Sequence, residues 1–207
     1  MKVKHIEVLV NEGKFGHSLA YQEIIAELLL AIESVEWHEA GRFIINPVRK
    51  GNGVLPIKKN FVETLRAKDW RTEVRMALVD GMSPGPIDAI KITSGGIFAV
   101  EWETGNISSS HRALNKIATG ILQKQIIGGI LVIPEWELSQ YLTDRIGNYE
   151  EIAPYFPMYK SLKINDGVMG VISVTYDGKS MDAKLIAKGK DGNAKKVGEQ
   201  DISSIGS

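Results

Sequence analysis

Apolar residues recur with helical spacing in the first third of the chain. Residues 19–32 carry them at positions 24, 25, 28, 29 and 32, and Ser18 stands directly before them as a candidate cap, so an amphipathic helix is predicted there. After a glycine-containing loop at 51–53, Pro56 suits the first turn of a second helix that reaches about Lys68. Residues 70–79 follow with a weakly helical pattern.

Two short β-like segments occupy the middle of the chain. Residues 87–92 and 97–103 are separated by a four-residue stretch that contains a glycine pair, which predicts a β-hairpin. If residues 94 and 95 form a two-residue loop, Asp88 lies opposite Glu101. If the loop is 95–96, Asp88 lies opposite Glu103, and the two glutamates still share a face because side chains alternate along a strand. A three-residue loop would instead place Trp102 opposite Asp88.

The second half of the chain alternates helical and strand patterns. Asn106 is a candidate cap for a helix with one apolar stripe, and the continuous apolar run 126–133 suits a buried strand. A short helix from Glu135 to about Arg145, an acidic turn at 150–151 and two late strands near 168–176 and 183–187 follow. The stripe consists of Leu114, Ile117, Ala118, Ile121 and Leu122. Elsewhere on the surface of that helix fall His111, Arg112, Asn115 and Lys116.

The order of these elements predicts an α/β fold in which helices flank a central mixed sheet. With 207 residues, the chain is long enough for one well-formed core, so a single domain over 1–207 is expected. From residue 188 onwards, lysines stand among glycines, which predicts a flexible and mildly basic tail.

Composition narrows the classes of function. Lys plus Arg and Asp plus Glu are balanced at 25 each, so binding to nucleic acid requires a local basic surface. Without cysteine there is no disulfide and no thiolate metal site, and the four histidines lack the spacing of zinc ligands. The amino terminus lacks the apolar core of a signal peptide, and no segment has the length of a membrane span, so a cytoplasmic protein without membrane partners is expected.

The hairpin brings together three carboxylates, those of Asp88, Glu101 and Glu103. Carboxylates held close together on a rigid sheet can bind Mg²⁺ and leave coordination positions open for phosphate oxygens. An Asp, about a dozen residues and then Glu-x-Lys is the usual pattern of metal-dependent nucleases, and Glu103 occupies the lysine position. For Glu-Trp-Glu alone, a solvated strand face is the commoner interpretation, but the upstream Asp88 favours a metal site.

Longer motifs, spread over most of the chain, are more specific than this pattern. They are Asn52-Gly53-Val54, Pro56-Ile57-Lys58, Gly85-Pro86-Ile87-Asp88, Glu101-Trp102-Glu103-Thr104-Gly105-Asn106-Ile107-Ser108-Ser109, His111-Arg112, Asn115-Lys116, Tyr141-Leu142-Thr143-Asp144-Arg145, Glu150-Glu151 and Pro154-Tyr155-Phe156. In this order they resemble the BamHI family of type II restriction endonucleases.

The resemblance implies a homodimeric enzyme with the restriction-endonuclease-like fold, of the PD-(D/E)xK type, that cuts both strands of double-stranded DNA at a palindrome. By analogy the site is GGATCC, cut after the first G to leave 5′ overhangs. A paired DNA methyltransferase and a prokaryotic cytoplasm are expected. The dimer would form through residues 107–123 and 135–145, although the apolar stripe of the first segment could equally be buried within one subunit.

The resemblance also implies roles for the acidic residues. Asp88 and Glu101 would be shared ligands of Mg²⁺, for which Mn²⁺ would substitute. Glu73 would be a further acidic ligand, because Trp70 aligns with a family tryptophan at the same offset. Glu103 would orient or deprotonate the attacking water in place of the usual lysine.

Two segments are candidates for reading DNA. Arginine donates in a fork to O6 and N7 of guanine, and aspartate accepts from N4 of cytosine, so Asp144-Arg145 can read a G·C pair. Without the resemblance, an exposed ion pair at a helix end is the commoner interpretation of such a dipeptide. Asn106, Ser108 and Arg112 lie at a helix amino terminus, where side chains can reach bases and N–H groups attract phosphate.

Other interpretations remain open. Asn106 and Ser109 could serve only as helix caps, and Lys58, a candidate groove or phosphate contact, could simply aid solubility. A sequence-specific DNA-binding protein without cleavage activity would bind a palindrome and never nick it. A carboxylate-pair hydrolase of small molecules or sugars fits poorly, because the sequence lacks an aromatic-rich cleft and has an Asn-x-Ser-Ser run downstream.

Overall fold

The computed structural model describes residues 1–76, 85–143 and 145–188. Asp144, the end of the weakly helical stretch at 77–79 and the predicted tail from 189 onwards lie outside the described residues. The single-domain expectation over 1–207 stays a prediction.

The described residues form a six-stranded mixed sheet and a small three-stranded sheet. The strands are β1 (Lys2–Glu12), β2 (His38–Glu39), β3 (Arg42–Ile45), β4 (Arg71–Val74), β5 (Ile87–Thr93), β6 (Gly96–Trp102), β7 (Gly128–Pro134), β8 (Gly167–Thr175) and β9 (Gly178–Lys179). The large sheet has the order β1-β8-β7-β6-β5-β4, in which β6, β7 and β8 are parallel neighbours and the other pairs are antiparallel. Strands β2, β3 and β9 form the small sheet.

Helices cover both faces of the large sheet, which confirms the predicted α/β architecture. They are α1 (Leu19–Glu33), α2 (Leu55–Arg66), α3 (Ile107–Leu122), α4 (Trp136–Ser139), α5 (Tyr149–Ile152) and α6 (Phe156–Lys160). Leu28 of α1 and Phe61 of α2 belong to one core cluster, whereas Leu114 of α3 and Phe156 of α6 belong to a second. In the described part of the chain, no helix is long and apolar enough to cross a membrane.

The predicted helix starts are confirmed by their hydrogen bonds. The Ser18 hydroxyl accepts from the Tyr21 N–H at 3.2 Å, and the Asn106 side chain accepts from the Ser109 N–H at 3.1 Å. A satisfied N–H at the first turn removes one of the unpaired donors that destabilise a helix end.

The apolar stripe of α3 is buried within the subunit, apart from Leu122, which is 47% exposed.

The hairpin has the first of the two registers that place Asp88 opposite a glutamate. Thr93 pairs with Gly96, so residues 94 and 95 form the loop. Ala89 pairs with Val100, and one step further along the antiparallel ladder Asp88 stands opposite Glu101. Gly96 has φ +132°, a conformation that residues with a Cβ rarely adopt.

Three sequence predictions were wrong because tertiary hydrogen bonds overrode local patterns. Residues 71–74, expected to be weakly helical, form the edge strand β4 against β5. The helix expected over 135–145 ends at Ser139, because the Thr143 N–H donates to the Asn52 carbonyl at 2.6 Å instead of continuing the helix. Residues 183–187 form no strand; Ile186 is bonded to Asn52 and Gly53 instead.

Two further differences concern elements that the pattern did not reveal. The acidic stretch at 150–151 lies in the one-turn helix α5. Asn148 and Glu151 form a capping box at the start of this helix. Strand β1, for which no element was predicted, pairs with β8 along its whole length but with two register shifts. Those irregularities interrupt the period of two by which a strand is recognised in a sequence.

The α-amino group of Met1 is buried and forms an ion pair with Asp177. Its nitrogen lies 2.8 Å from Asp177 Oδ2 and donates to the Val35 carbonyl at 3.0 Å. The Phe43 N–H also donates to Asp177 Oδ2, at 2.7 Å. Burial alone would raise the pKa of Asp177, but the hydrogen bonds from the α-amino group and Phe43 lower it below 3.8. Asp177 therefore ties the amino terminus to the small sheet.

We expect Asp177→Asn to lower the free energy of unfolding by about 3 kcal/mol at pH 7, because a buried ammonium group loses its partner. Because the pKa of Asp177 is lowered in the folded state, this stabilisation is complete above pH 3.8 and is lost as acid protonates Asp177. Urea unfolding of the wild type and the variant measures the difference. The exposed Asp182→Asn serves as control, and an equal loss in both variants would contradict the assignment.

Candidate active site

Four carboxylates gather at one end of the large sheet, on adjacent strands. Glu73 lies in β4, Asp88 in β5 and Glu101 in β6, and Glu103 follows the last residue of β6. Thr72 pairs with Ala89, which in turn pairs with Val100. One step along each ladder, Glu73, Asp88 and Glu101 fall in a single row across three strands. Directly opposite residues of antiparallel strands present their side chains on the same face.

The two central carboxylates are buried and hydrogen-bonded. Asp88 and Glu101 are each only 6% exposed. Asp88 Oδ1 accepts from Lys58 Nζ at 2.6 Å, and Oδ2 accepts from the Trp102 N–H at 2.8 Å. Glu101 Oε1 accepts from Lys116 Nζ at 2.5 Å. Each buried negative charge therefore has a lysine as its counter-charge, as a buried carboxylate requires.

The crowding of negative charge is visible in the pKa values of the cluster. Burial and the charge of Asp88 together raise the pKa of Glu101 to about 7, although the charge and hydrogen bond of Lys116 lower it. Burial and Asp88 likewise raise the pKa of Glu103, against the hydrogen bond from Gly105, and of Glu73, against the charge of Lys58. Burial would lower the pKa of Lys58, yet Asp88 brings it above its ordinary value. A cation placed among these groups would relieve their mutual repulsion.

The donor set matches the preference of Mg²⁺, although the carboxylates do not form a metal cage. Within the described ranges, no three Asp, Glu or His side chains are placed so that they could hold an ion. Lys58 Nζ lies between two of the carboxylates, 2.6 Å from Asp88 and 3.8 Å from Glu73. Its side chain is 33% exposed and can move toward solvent. Rigid, hard oxygen donors beside a displaceable ammonium group fit a magnesium ion.

Glu73 occupies the most exposed and most strained position of the cluster. Its side chain is 48% exposed, and its backbone φ of +54° lies in the left-handed region. For a residue with a Cβ, this conformation costs on the order of 1 kcal/mol, and strained backbone of this kind is enriched at functional sites. The strain is independent of the sequence resemblance that pointed to Glu73.

Glu103 is held by the loop between β6 and α3. Its backbone N–H donates to the Val132 carbonyl at 2.9 Å, and its Oε1 accepts from the Gly105 N–H at 2.7 Å. One carboxylate oxygen is thereby fixed by the backbone. The other has no partner among the residues that the structure describes, so it is free to accept from a water molecule.

The candidate DNA-reading residues stand beside this cluster. Asn106, Ser108 and Arg112 are exposed at the start of α3, three to nine positions after Glu103. Arg145 is also exposed, and its segment is joined to the same loop, because the Gly147 N–H donates to the Gly105 carbonyl at 2.8 Å. Asp144 lies outside the described residues. The structure thus brings the start of α3 and the segment around Arg145 together.

Two lysines are placed differently from what the sequence suggested. Lys116, expected on the outer surface of α3, is 8% exposed and pairs with Glu101. Its position next to Ile117, at the border of the apolar stripe, was the available signal. Lys58, expected to contact DNA, points its ammonium group at Asp88. Its DNA contact stays a prediction.

Asn52 was missed altogether as a structural centre of the site. It is fully buried, and its Nδ2 donates to the carbonyls of Asn46 at 2.8 Å and Tyr141 at 3.0 Å. Its Oδ1 accepts from the Ile186 N–H at 3.2 Å, and its carbonyl accepts from the Thr143 N–H at 2.6 Å. Asn52 thus fixes the segment that leads to Arg145 with both its side chain and its backbone. A polar residue between two glycines gives no sequence signal for such a role.

Comparison with known proteins places these observations in context. Residues 1–193 match the family model described as "Restriction endonuclease BamHI". The chain is 45% identical over 195 residues to the type II restriction enzyme OkrAI of Oceanobacter kriegii, covering 94% of this chain and 99% of that protein. It is 34% identical over 202 residues to the type II restriction enzyme BamHI of Bacillus amyloliquefaciens, covering 92% of each.

A similar fold has been solved in complex with DNA. The structure of the restriction endonuclease BglII bound to a DNA 16-mer aligns with a TM-score of 0.57, covering 86% of this chain and 79% of that chain. At 14% sequence identity, this likeness concerns the fold alone.

Proposed function

The chain belongs to the BamHI family of type II restriction endonucleases, and from this premise we propose that it cuts both strands of a palindromic DNA site with Mg²⁺ as cofactor. By its sequence resemblance, the proposed site is GGATCC, cut after the first G to leave 5′ overhangs. The observation that carries the proposal is the row of Glu73, Asp88 and Glu101 across three strands, with Glu103 and the start of α3 beside it.

The proposed metal ligands are Asp88 and Glu101, with Glu73 as a further ligand. A bound Mg²⁺ supplies Lewis-acid stabilisation of the charge that develops on the phosphate, and Mn²⁺ is expected to substitute for it. Lys58 leaves Asp88 when the ion binds, since its ammonium group lies 2.6 Å from Oδ1. Lys116, which is almost fully buried against Glu101, stays in place and orients that carboxylate.

Glu103 is the proposed acceptor of a proton from the attacking water. The Gly105 N–H holds one of its carboxylate oxygens at 2.7 Å, which leaves the other oxygen to align the water. The pKa of Glu103, raised mainly by burial, makes it a stronger proton acceptor than an exposed glutamate. A raised pKa of this kind is typical of general bases.

Base reading is proposed for the exposed residues next to the cluster. Arg145 would donate to guanine O6 and N7 and Asp144 would accept from cytosine N4, while Asn106, Ser108 and Arg112 contact DNA from the start of α3. The Asn106 cap uses only Oδ1, so capping does not exclude a DNA contact. Lys58, once released from Asp88, stands next to the phosphate that the cluster would hold.

A two-fold dimer is the proposed assembly, because a palindrome offers two identical half-sites. Apart from Leu122, the apolar stripe of α3 is buried within the subunit, so most of it is not available to an interface. Trp136, which is 54% exposed at the start of α4, lies in the second of the two proposed interface segments. A methyltransferase that protects the same site, in a prokaryotic cytoplasm, completes the proposal.

One experiment tests the proposed function. The protein is incubated with a long DNA of known sequence and Mg²⁺, and the ends of the products are sequenced. We expect ends at GGATCC with four-base 5′ overhangs. Cuts at another palindrome would overturn the specificity and keep the activity, whereas a protein that protects a palindrome from footprinting reagents and never nicks it would be a binding protein only.

Affinity for DNA is expected to fall as salt rises, because bound phosphates release counterions. Lys plus Arg equal Asp plus Glu in number, so attraction must come from a few local contacts. Between about 50 and about 200 mM salt we expect a loss of at least about tenfold, which corresponds to two phosphate contacts. Fluorescence anisotropy in EDTA measures it, and an unchanged affinity would contradict the proposed phosphate contacts.

A further inference from the structure

Two consecutive backbone hydrogen bonds join the segment of Arg145 to the carboxylate of Glu103. The Gly147 N–H donates to the Gly105 carbonyl at 2.8 Å, and the Gly105 N–H donates to Glu103 Oε1 at 2.7 Å. Gly105 therefore accepts a hydrogen bond from Gly147, which lies near Arg145, and donates one to Glu103, the proposed general base. No side chain takes part except that of Glu103.

The contact between these segments is so close that it requires glycine. A Cβ atom added at Gly147 would lie 2.8 Å from both the N and the Cα of Ile107, and 3.0 Å from Ser110 Oγ. The Ile107 atoms are backbone at the first turn of α3 and cannot rotate away. Any side chain at position 147 must therefore push the Arg145 segment away from α3.

Described residues on both sides of Arg145 are held by contacts with the rest of the protein. Upstream, the Thr143 N–H is bonded to the Asn52 carbonyl at 2.6 Å. Downstream, the Ile146 side chain belongs to the hydrophobic core, and Asn148 is fixed by its capping box with Glu151. Because Ile146 is anchored in the core and Asn148 by its capping box, a displacement of Arg145 is transmitted along the backbone to Gly147, two residues away.

We propose that Gly147 is a positioning residue that couples base reading by Arg145 to the alignment of Glu103. The proposal rests on the proposed function above. When Arg145 meets its guanine, the bonds from Gly147 to Gly105 and from Gly105 to Glu103 keep their lengths, and Glu103 is aligned with the water. When a wrong base displaces Arg145, the same bonds lengthen and Glu103 loses its alignment. The base sequence of the DNA is thus discriminated twice, first by the affinity of binding and again by the rate of hydrolysis.

The test compares Gly147→Ala with Gly170→Ala. A Cβ at Gly170 would also lie 2.8 Å from a backbone atom, the carbonyl oxygen of Glu7, but Gly170 lies in β8, two strands away from β6, and the atoms nearest to its added Cβ do not belong to the Arg145 segment. For each protein, the affinity for the cognate duplex is measured in EDTA. The single-turnover cleavage rate at saturating enzyme is measured on the cognate duplex and on a duplex with one changed base pair. Thermal melting reports the stability of both variants.

For Gly147→Ala we expect the cognate cleavage rate to fall about a hundredfold, as misplacement of a catalytic group by about 1 Å does. The affinity should fall by a smaller factor than the rate, because Arg145 is displaced but the other DNA contacts remain. The ratio of cleavage rates between the cognate and the changed duplex should drop at least tenfold, because the second check is lost. Gly170→Ala should melt earlier but keep both the rate and the ratio. A loss confined to affinity, or equal losses in both variants, would overturn the coupling.

A measurement on the wild type keeps the proposal testable if Gly147→Ala does not fold. Amide hydrogen exchange of Gly105 and Gly147 is followed by NMR in complexes with the cognate and the changed duplex. We expect exchange at least tenfold slower in the cognate complex, and equal exchange would refute the coupling. If the wild type cuts no DNA at all, the proposed function fails, which is a different result from either of these.

Discussion

Asp88→Asn is expected to lower the cleavage rate by about a thousandfold or more while the protein still folds and still binds its DNA site. Asp88 lies in the middle of the carboxylate row, with Glu73 on one side and Glu101 on the other. Loss of its charge removes the strongest proposed metal ligand, and with it the several kcal/mol of charge stabilisation that a divalent ion gives the transition state. Hydrolysis of a labelled duplex in Mg²⁺ measures the rate.

The fold should tolerate this change. The asparagine oxygen can still accept from the Trp102 N–H, and Lys58, which is 33% exposed, can turn toward solvent. Isothermal titration with Mg²⁺ should show the loss of a binding event in Asp88→Asn. Asp166→Asn, at an exposed position, should leave both the titration and the rate unchanged. An Asp88→Asn protein that takes up Mg²⁺ as the wild type does would refute the assignment of Asp88 as a ligand.

Glu103→Lys is expected to abolish cleavage within the detection limit, a loss of at least about 10²- to 10⁴-fold, the usual contribution of a general base. The change produces the Glu-x-Lys pattern of other metal-dependent nucleases, yet it should not give an active enzyme. The Gly105 N–H points at Glu103 Oε1, and a lysine side chain has no acceptor for it. The backbone of this loop therefore favours a hydrogen-bond acceptor, such as a carboxylate, at position 103.

A measurement of DNA binding distinguishes the loss of catalysis in Glu103→Lys from a loss of folding. The added positive charge lies beside the proposed phosphate position, so Glu103→Lys should bind DNA as tightly as the wild type or tighter. Glu103→Gln, which keeps an acceptor for Gly105 but has no basic oxygen, should also lose cleavage. Glu63→Gln, on the exposed side of α2, is the control. Cleavage by Glu103→Lys at the wild-type rate would show that Glu103 is not the base.

The parts of the site that sequence analysis predicted depend on local rules. Counting residues on either side of a two-residue loop left two registers of the hairpin open, and the one that forms places Asp88 opposite Glu101. The cap of α3 at Asn106 follows from the chemistry of its side chain. Such rules need only residues that are close in sequence, which is why they held.

The parts that were missed depend on residues far apart in sequence. Lys116 reaches Glu101 only because α3 packs against β7, the neighbour of β6 in the sheet, and a helical pattern does not reveal this partner. Strand β4 forms because β5 offers it a free edge. The helix before Arg145 is short because Asn52, about 90 positions earlier, binds the backbone of residues 141 and 143.

The lysine partners of Asp88 and Glu101 allow the chain to fold without a bound metal ion. A newly synthesised chain has to bury two acidic groups in its core, and Lys58 and Lys116 neutralise them from within. Maturation of the fold therefore does not have to wait for an inorganic ion. Under the proposed mechanism the ion would enter afterwards, in exchange for the partly exposed Lys58 side chain. The supply of magnesium in the cell would then govern activity without governing how much folded protein exists.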